Sequence, residues 1–169
     1  VGDPLDPESK QGAVVSKAHF DKVMACIQLA KEEGGKLLLG GNAVQPEGRC
    51  KNGFFIEPTI FENLGQQCRT NTEEVFGPFV TLQPFETVEE AIALANATNY
   101  GLSASIWTQD ISKATLVSTQ LQCGIVWINT WLNRDLRTPF GGTKSSGVGR
   151  EGGWEAMRFF TEAKNICIG

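Results

Sequence analysis

The sequence contains one histidine, five cysteines without any C-x-x-C spacing, and no apolar run long enough to cross a membrane. A Ser-His-Asp triad would have to use His19, and a zinc site would have to be assembled from scattered cysteines, so both kinds of site are set aside. An odd number of widely spaced cysteines fits reduced thiols better than a disulfide framework. No signal-peptide pattern is present. These absences predict a cytoplasmic protein without a metal or a membrane partner.

Basic residues are too few and too scattered for a nucleic-acid interface. The chain has 15 Lys and Arg against 19 Asp and Glu, which gives a formal net charge of -4. No basic stripe could neutralise a run of phosphates. A hydrophobic content of 41%, a charged content of 20% and 19 glycines in 169 residues are typical of a single globular α/β domain.

Helical and strand-like segments alternate along the chain. A helix is predicted from Ser16 to about Glu33, because apolar residues recur at helical spacing and a Gly-Gly pair follows. Further on, the strand 102–108, a helix capped by Asp110 and the strand 124–129 follow one another. This alternation predicts an α/β fold, an open and mostly parallel sheet with helices on both faces.

A charged loop, residues 129–140, follows the last of these strands. Ligands of open parallel sheets usually bind beyond the carboxyl ends of the strands. Arg134 and Arg137 lie in this loop, and guanidinium groups bind carboxylates through paired, charge-assisted hydrogen bonds. The loop therefore suits a small anionic ligand. The alternative is a surface Arg-Asp-Arg cluster with Asp135, which would contribute little energetically.

The segment from Gly147 to Gly152 formally matches G-x-G-x-x-G. A dinucleotide fingerprint also needs a buried strand before it, a helix after it and an acidic residue about twenty positions further on. Too few residues follow Gly152 to meet that condition. We therefore expect these glycines to form tight turns.

Three segments, in the same order, resemble motifs of one enzyme family. They are EEVFGP at 73–78, NYGLSASIW at 99–107 and PFGGTKSSGVGREGG from Pro139 onward. Over nearly its whole length the chain resembles the C-terminal part of an NAD(P)-dependent aldehyde dehydrogenase. The loop WLNRDLRTPFGG is similar to the subgroup that oxidises muconic semialdehydes, the aminomuconate and hydroxymuconate semialdehyde dehydrogenases.

The resemblance implies roles for five residues. Glu74 would bind the nicotinamide ribose hydroxyls and Phe76 would pack near the nicotinamide. The cofactor that the resemblance implies is NAD, with NADP as the alternative. Phe140 would line the aldehyde tunnel. Arg134 is the first candidate for binding a substrate carboxylate, and Arg137 is the second. From its residues alone, the Glu73–Pro78 segment would instead be read as acids in a first helical turn ended by Gly-Pro.

The family oxidises aldehydes through a thioester on a cysteine. Cys68 superficially copies the nucleophile motif, but it precedes Glu73 by only five residues and Arg69 replaces a small or apolar residue, so we reject it. The resemblance implies that the nucleophile, the general base and the main NAD-binding domain precede residue 1. The same interpretation makes residues 1–160 a partial catalytic domain.

Residues 161–169 would then form a C-terminal strand that joins subunits of a homo-oligomer. The expected partners are a small-molecule aldehyde and the upstream part of the same enzyme. The alternative function is a non-catalytic, truncated dehydrogenase domain that acts as a binding or assembly module.

Overall fold

The first helix, α1, runs from Lys17 to Glu32 in a computed structural model that describes all 169 residues. The Ser16 hydroxyl accepts a hydrogen bond from the His19 amide at 3.2 Å, which satisfies one free donor of the first turn. Gly34, with φ of 87°, follows the helix in the left-handed region that glycine tolerates. The helix predicted here is confirmed. Its buried residues recur at helical spacing: Val23, Ile27 and Ala30.

The chain divides into two units, Val1–Pro84 (unit 1) and Phe85–Gly169 (unit 2). After α1, unit 1 contains β1 (Lys36–Leu39), β2 (Ala43–Val44), a single 3-10 turn (Gly48–Cys50), β3 (Phe55–Ile56), β4 (Thr59–Glu62), α2 (Arg69–Thr72) and β5 (Phe79–Leu82). The central strand of its sheet is β4, which is antiparallel to β1 and parallel to β5. A separate antiparallel ribbon is formed by β2 and β3.

The core of unit 1 combines the inner face of α1 with side chains from β3 and β4. Phe61 is fully buried, and its ring centroid lies 5.5 Å from that of Phe79. Thr59 is a buried polar residue whose hydroxyl accepts from the Gly41 amide at 3.0 Å and donates to the Glu57 carbonyl at 2.9 Å. Each hydrogen-bonding group of this hydroxyl is therefore satisfied inside the core.

Unit 2 contains α3 (Val88–Asn96), β6 (Tyr100–Gly101), β7 (Ser103–Ile106), α4 (Ile111–Gln120), β8 (Ile125–Ile128), β9 (Thr143–Lys144) and α5 (Gly153–Phe160). The parallel pair of β7 and β8 is joined by α4, which makes a βαβ unit. Asp110 caps α4, because its carboxylate accepts from the amides of Ser112 at 2.9 Å and Lys113 at 3.1 Å. An antiparallel pair is formed by β6 and β9.

The predicted α/β class is confirmed, and the strand pairing is mixed rather than mostly parallel. Parallel pairing occurs where a helix lies between the strands, as α2 does for β4 and β5 and α4 does for β7 and β8. Between β1 and β4 the chain returns through the β2–β3 ribbon instead of an α-helix, and that pair is antiparallel.

The C-terminal strand predicted at residues 161–169 has no pairing within this chain. Residues 161–169 have no regular secondary structure and are exposed. They belong to unit 2. The division into a partial catalytic domain, residues 1–160, and a terminal strand, residues 161–169, stays a prediction. A strand requires a hydrogen-bonded neighbour. The role of residues 161–169 in subunit association, and the homo-oligomer that it implies, stay predictions.

Candidate functional site

The EEVFGP segment follows a helix instead of opening one. α2 ends at Thr72, and Glu73 has extended backbone angles at its C-cap. Arg69 Nε donates to Glu73 Oε1 at 2.8 Å, and this hydrogen bond from the guanidinium lowers the Glu73 pKa. The alternative interpretation, acids in a first helical turn, is therefore wrong.

Glu74 presents a free carboxylate. The residue is exposed, and none of the seven ion pairs includes it. Its backbone is held instead, because Lys22 Nζ donates to the Glu74 carbonyl oxygen at 2.8 Å. A carboxylate that is free on a restrained backbone can accept hydrogen bonds from two hydroxyl groups of a ligand.

Phe76 is held in an unusual conformation with its ring exposed. Its φ is 58°, in the left-handed region that side chains disfavour, and the residue is 72% exposed. The preceding residue, Val75, is buried in the core of unit 1. Backbone strain of this kind persists only where surrounding contacts enforce it, and it is common at ligand sites.

His19 supplies one of the contacts that hold Phe76. Nε2 of His19 lies 2.6 Å from the Phe76 carbonyl oxygen, and because a carbonyl can only accept, Nε2 carries the proton and donates. The two rings also meet edge to face, with centroids 6.1 Å apart. From the sequence, His19 entered only as the histidine that a triad would need. Fifty-seven positions separate the two residues, so no local spacing could have revealed this contact.

Arg134 lies over the ring of Phe140 and beside a carboxylate. Its guanidinium carbon is 3.8 Å from the Phe140 ring centroid, and its Nη2 donates to Glu151 Oε1 at 3.0 Å. The backbones of Phe140 and Glu151 form a two-bond antiparallel bridge, with both N···O distances 2.8 Å. The structure thus brings together two predicted residues, Arg134 and Phe140, and adds Glu151, which the sequence reasoning did not single out.

Arg137 forms an ion pair with Asp135 at the surface. Its Nη2 is 2.5 Å from Asp135 Oδ2, and its side chain is 89% exposed. The hydrogen bond from Arg137 lowers the Asp135 pKa, and the Asp135 carboxylate raises the Arg137 pKa. The alternative to a ligand site was a surface cluster of Asp135 with both arginines. Of the two, only Arg137 pairs with Asp135.

A cavity of about 350 Å³ lies at β8 and the charged loop. Gly124, just before β8, lines it, and a Cβ there would collide with the Gly141 carbonyl oxygen. Trp127 Nε1 donates to the Asn133 carbonyl at 2.9 Å, which ties the loop to the strand. Arg134 and Phe140 both line this cavity, so a ligand could enter beside the guanidinium.

Cys68 is half-buried against the core of unit 1. It occupies the N-cap position of α2, which has only four residues, and its carbonyl accepts from the Asn71 and Thr72 amides. The segment before α2 is a polar turn. That Cys68 is not a nucleophile stays a prediction.

The G-x-G-x-x-G segment has no helix or strand. It bends at residues 148, 149 and 152 and contains the bridge residue Glu151, so the expected tight turns are not formed within it. It lies between the two-residue strand β9 and α5. Gly149 and Gly152 have φ of 69° and 85°, and a Cβ on Gly152 would collide with the Thr138 carbonyl oxygen. These glycines therefore serve local backbone shape.

All five cysteines are free thiols. Burial raises the pKa of Cys26 and of Cys123. No cluster of three or more His, Cys, Asp or Glu side chains could hold a metal ion. None of the helices is long and apolar enough to cross a membrane.

The fold is that of an α/β protein. Its unit 1 carries a free carboxylate and an exposed aromatic ring, and its unit 2 carries an arginine stacked on a ring beside a cavity. Residues 1–166 match the model of the aldehyde dehydrogenase family, and the chain belongs to this family. The family predicted from the sequence motifs is confirmed.

Three comparisons illustrate the relationship. The chain is 45% identical over 168 residues to 2-hydroxymuconic semialdehyde dehydrogenase of Pseudomonas sp. (strain CF600), covering 99% of this chain and 35% of that protein. It is 45% identical over 170 residues to betaine aldehyde dehydrogenase of Cereibacter sphaeroides, covering 100% and 34%. A solved structure of P. syringae AldA indole-3-acetaldehyde dehydrogenase, a mutant in complex with NAD+ and IAA, superimposes with a TM-score of 0.90 at 39% identity, covering 96% and 32%.

The chain spans about a third of the length of the curated relatives it matches. The muconic subgroup is among these relatives, in agreement with the resemblance of the charged loop. Because the betaine aldehyde enzyme is equally similar overall, identity across the chain does not distinguish the substrates. Any distinction has to come from particular residues in the site.

Proposed function

We propose that this chain forms the nicotinamide-facing and substrate-facing part of an NAD-dependent aldehyde dehydrogenase that oxidises a carboxylated, muconic-type semialdehyde to the acid. The observation that carries the proposal is Arg134, a half-exposed arginine stacked on Phe140 at a cavity beyond a βαβ unit. A guanidinium there would bind the carboxylate at one end of the substrate.

The relatives support this substrate class in a specific way. Their names include an enzyme for a carboxylated semialdehyde, 2-hydroxymuconic semialdehyde dehydrogenase. A carboxylate needs a cationic partner when it enters a partly desolvated site. Arg134 is a better candidate than Arg137. Arg137 donates to Asp135 through both Nε and Nη2 and its side chain is 89% exposed, whereas Arg134 donates one hydrogen bond, to Glu151, and its side chain is 36% exposed.

The EEVFGP segment fits the cofactor. When bound, NAD+ accepts the hydride that the aldehyde loses on oxidation. The free carboxylate of Glu74 would accept hydrogen bonds from the ribose hydroxyls, and the exposed ring of Phe76 would pack near the nicotinamide. A solved relative in complex with NAD+ supports the choice of cofactor.

The thioester step requires a thiolate, since sulfur both attacks the carbonyl and later leaves. We expect that cysteine to lie in a segment outside residues 1–169, because Cys68 is too close to the EEVFGP motif. Under this proposal Cys68 has a structural role, and the chain alone produces no NADH from NAD+ and 2-hydroxymuconic semialdehyde. NADH formation that Cys68→Ala abolishes would contradict this assignment.

A chimera tests the substrate assignment. This chain replaces the matching third of the Pseudomonas relative, and NADH formation is followed with 2-hydroxymuconic semialdehyde and with neutral benzaldehyde. Arg134→Ala should lower kcat/KM for the charged substrate by about 10- to 100-fold, the effect of losing hydrogen bonds to a charged group, and change that for benzaldehyde little. Arg137→Ala, from the same loop, is the matched control.

Equal losses for both aldehydes would overturn the role of Arg134. The alternative function is a binding or assembly module without chemistry. A folded chimera that binds NAD+ but oxidises neither aldehyde would support it.

A further inference from the structure

The Arg134 guanidinium is restrained by two contacts that are themselves connected. One face lies on the Phe140 ring at 3.8 Å, and Nη2 donates to Glu151 Oε1 at 3.0 Å. Phe140 and Glu151 are joined by their paired backbone hydrogen bonds. The ring and the carboxylate therefore hold the guanidinium from a common backbone platform, although 17 positions separate Arg134 from Glu151.

The same contacts leave part of the guanidinium available. Its N–H groups line two edges, each of which can bind a carboxylate through two parallel hydrogen bonds. Nη2 has one hydrogen on each edge, and Glu151 accepts a single hydrogen bond from it. One complete edge therefore has no hydrogen bond to Glu151, whichever of the two Nη2 hydrogens donates to that carboxylate. A long, flexible arginine side chain normally loses rotamer freedom when it binds a ligand, and prior restraint reduces that loss.

We propose that Glu151 is a positioning residue that, together with Phe140, holds Arg134 with one edge directed to the carboxylate of the substrate. The inference rests on the proposed function, in which Arg134 binds that carboxylate. Glu151 acts through the hydrogen bond that it accepts, and its negative charge is not required. Its side chain is 62% exposed, so solvent screens the repulsion between its charge and an anionic ligand.

If Glu151 only stabilised the fold, its substitution would change the unfolding transition; a positioning role predicts a different result. An exposed ion pair contributes little to stability, so loss of the Arg134–Glu151 pair should leave the unfolding transition nearly unchanged. The orientation of Arg134 should change instead. Replacing the carboxylate with an amide should preserve that orientation, because the amide oxygen of Gln is also an acceptor.

The test uses the chain itself and a stable ligand. Sorbate, a dienoic anion with one carboxylate, is the probe, and sorbyl alcohol is its neutral counterpart. Binding constants come from calorimetry, and the Arg134 Nε–H signal is followed by two-dimensional NMR, assigned by its absence in Arg134→Lys. Glu155→Ala is the matched control, because it removes another exposed Arg–Glu pair, with Arg158, outside the cavity.

Glu151→Ala should raise the Kd for sorbate about fivefold and alter the Arg134 signal without ligand, whereas Glu151→Gln should bind sorbate at least as tightly as the unchanged chain. Glu155→Ala should have no effect. The positioning role is refuted if Glu151→Gln binds sorbate as weakly as Glu151→Ala. It is also refuted if neither variant changes the Kd while Arg134→Ala abolishes binding, and in that case the role of Arg134 stands. If sorbate does not bind, or binds with the same affinity after Arg134→Ala, the role of Arg134 itself fails.

Discussion

His19→Ala offers a sharp test of how Phe76 is presented. The residue occupies φ of 58°, which costs a side-chain-bearing residue about 1–2 kcal/mol relative to the right-handed region. The hydrogen bond from His19 Nε2 to the Phe76 carbonyl, at 2.6 Å, should return about 1 kcal/mol of that strain. Without it, the equilibrium between the presented and the relaxed backbone should shift about fivefold toward the relaxed form.

The assay is NAD+ binding by the chimera with the Pseudomonas relative, alongside urea unfolding of the chain. We expect His19→Ala to raise the Kd for NAD+ about fivefold and to lower the free energy of unfolding by about 1 kcal/mol. His19→Gln is the control, since its amide nitrogen can donate to the same carbonyl.

A second substitution separates stability from function. Phe76→Gly should relieve the backbone strain, because glycine adopts positive φ without a steric penalty. Stability should therefore rise or stay level while NAD+ binding weakens through loss of the ring. If His19→Ala left the Kd for NAD+ within about twofold, or if Phe76→Gly destabilised the chain, the proposed restraint of Phe76 would be refuted.

Two further predictions concern unit 1. Thr59→Val is nearly isosteric and should lower the free energy of unfolding by about 1–3 kcal/mol, because the buried Gly41 amide loses its acceptor. Thr59→Ser keeps the hydroxyl and should have a smaller effect. Equal urea midpoints for Thr59→Val and the unchanged chain would contradict this prediction. Burial opposes ionisation of Glu33, but hydrogen bonds from the Thr70 hydroxyl and the Arg69 and Thr70 amides outweigh it and lower the Glu33 pKa. Because that pKa is lower in the folded state, its contribution is present above the unfolded value of about 4.3 and is lost as the pH falls through the folded value. Glu33→Gln should therefore destabilise the chain at neutral pH and not in acid. Urea titrations at several pH values measure this, and a difference in the free energy of unfolding that does not depend on pH would contradict the prediction.

Local signals in the sequence predicted the helices well. Ser16 and Asp110 cap α1 and α4 through hydrogen bonds to residues two or three positions away, so sequence spacing alone contains the information. Strand pairing depends on distant contacts. The antiparallel pairing of β1 with β4 was missed, because the route of the intervening chain, not the composition of either strand, determines the direction.

The two candidate arginines show the same limit at the site. From the sequence, Arg134 and Arg137 differ only in position within one charged loop. Arg137 pairs with a residue two positions away, and that pair was anticipated as a surface cluster. The partner of Arg134 is Glu151, and their approach depends on the backbone bridge between Phe140 and Glu151. Sequence spacing does not encode that bridge.

The candidate residues of each unit are held by the same kind of physical arrangement. In unit 1 the exposed ring of Phe76 is restrained by His19, and in unit 2 the guanidinium of Arg134 is restrained by Glu151. In each case a functional group that faces solvent is held by a side chain from a distant part of the sequence. Restraint before binding reduces the conformational entropy that a ligand must overcome. Substitution at Glu151 should therefore weaken ligand binding more than it changes the stability of the fold, whereas His19→Ala should change both by about 1 kcal/mol; substitutions in the core should act mainly on stability.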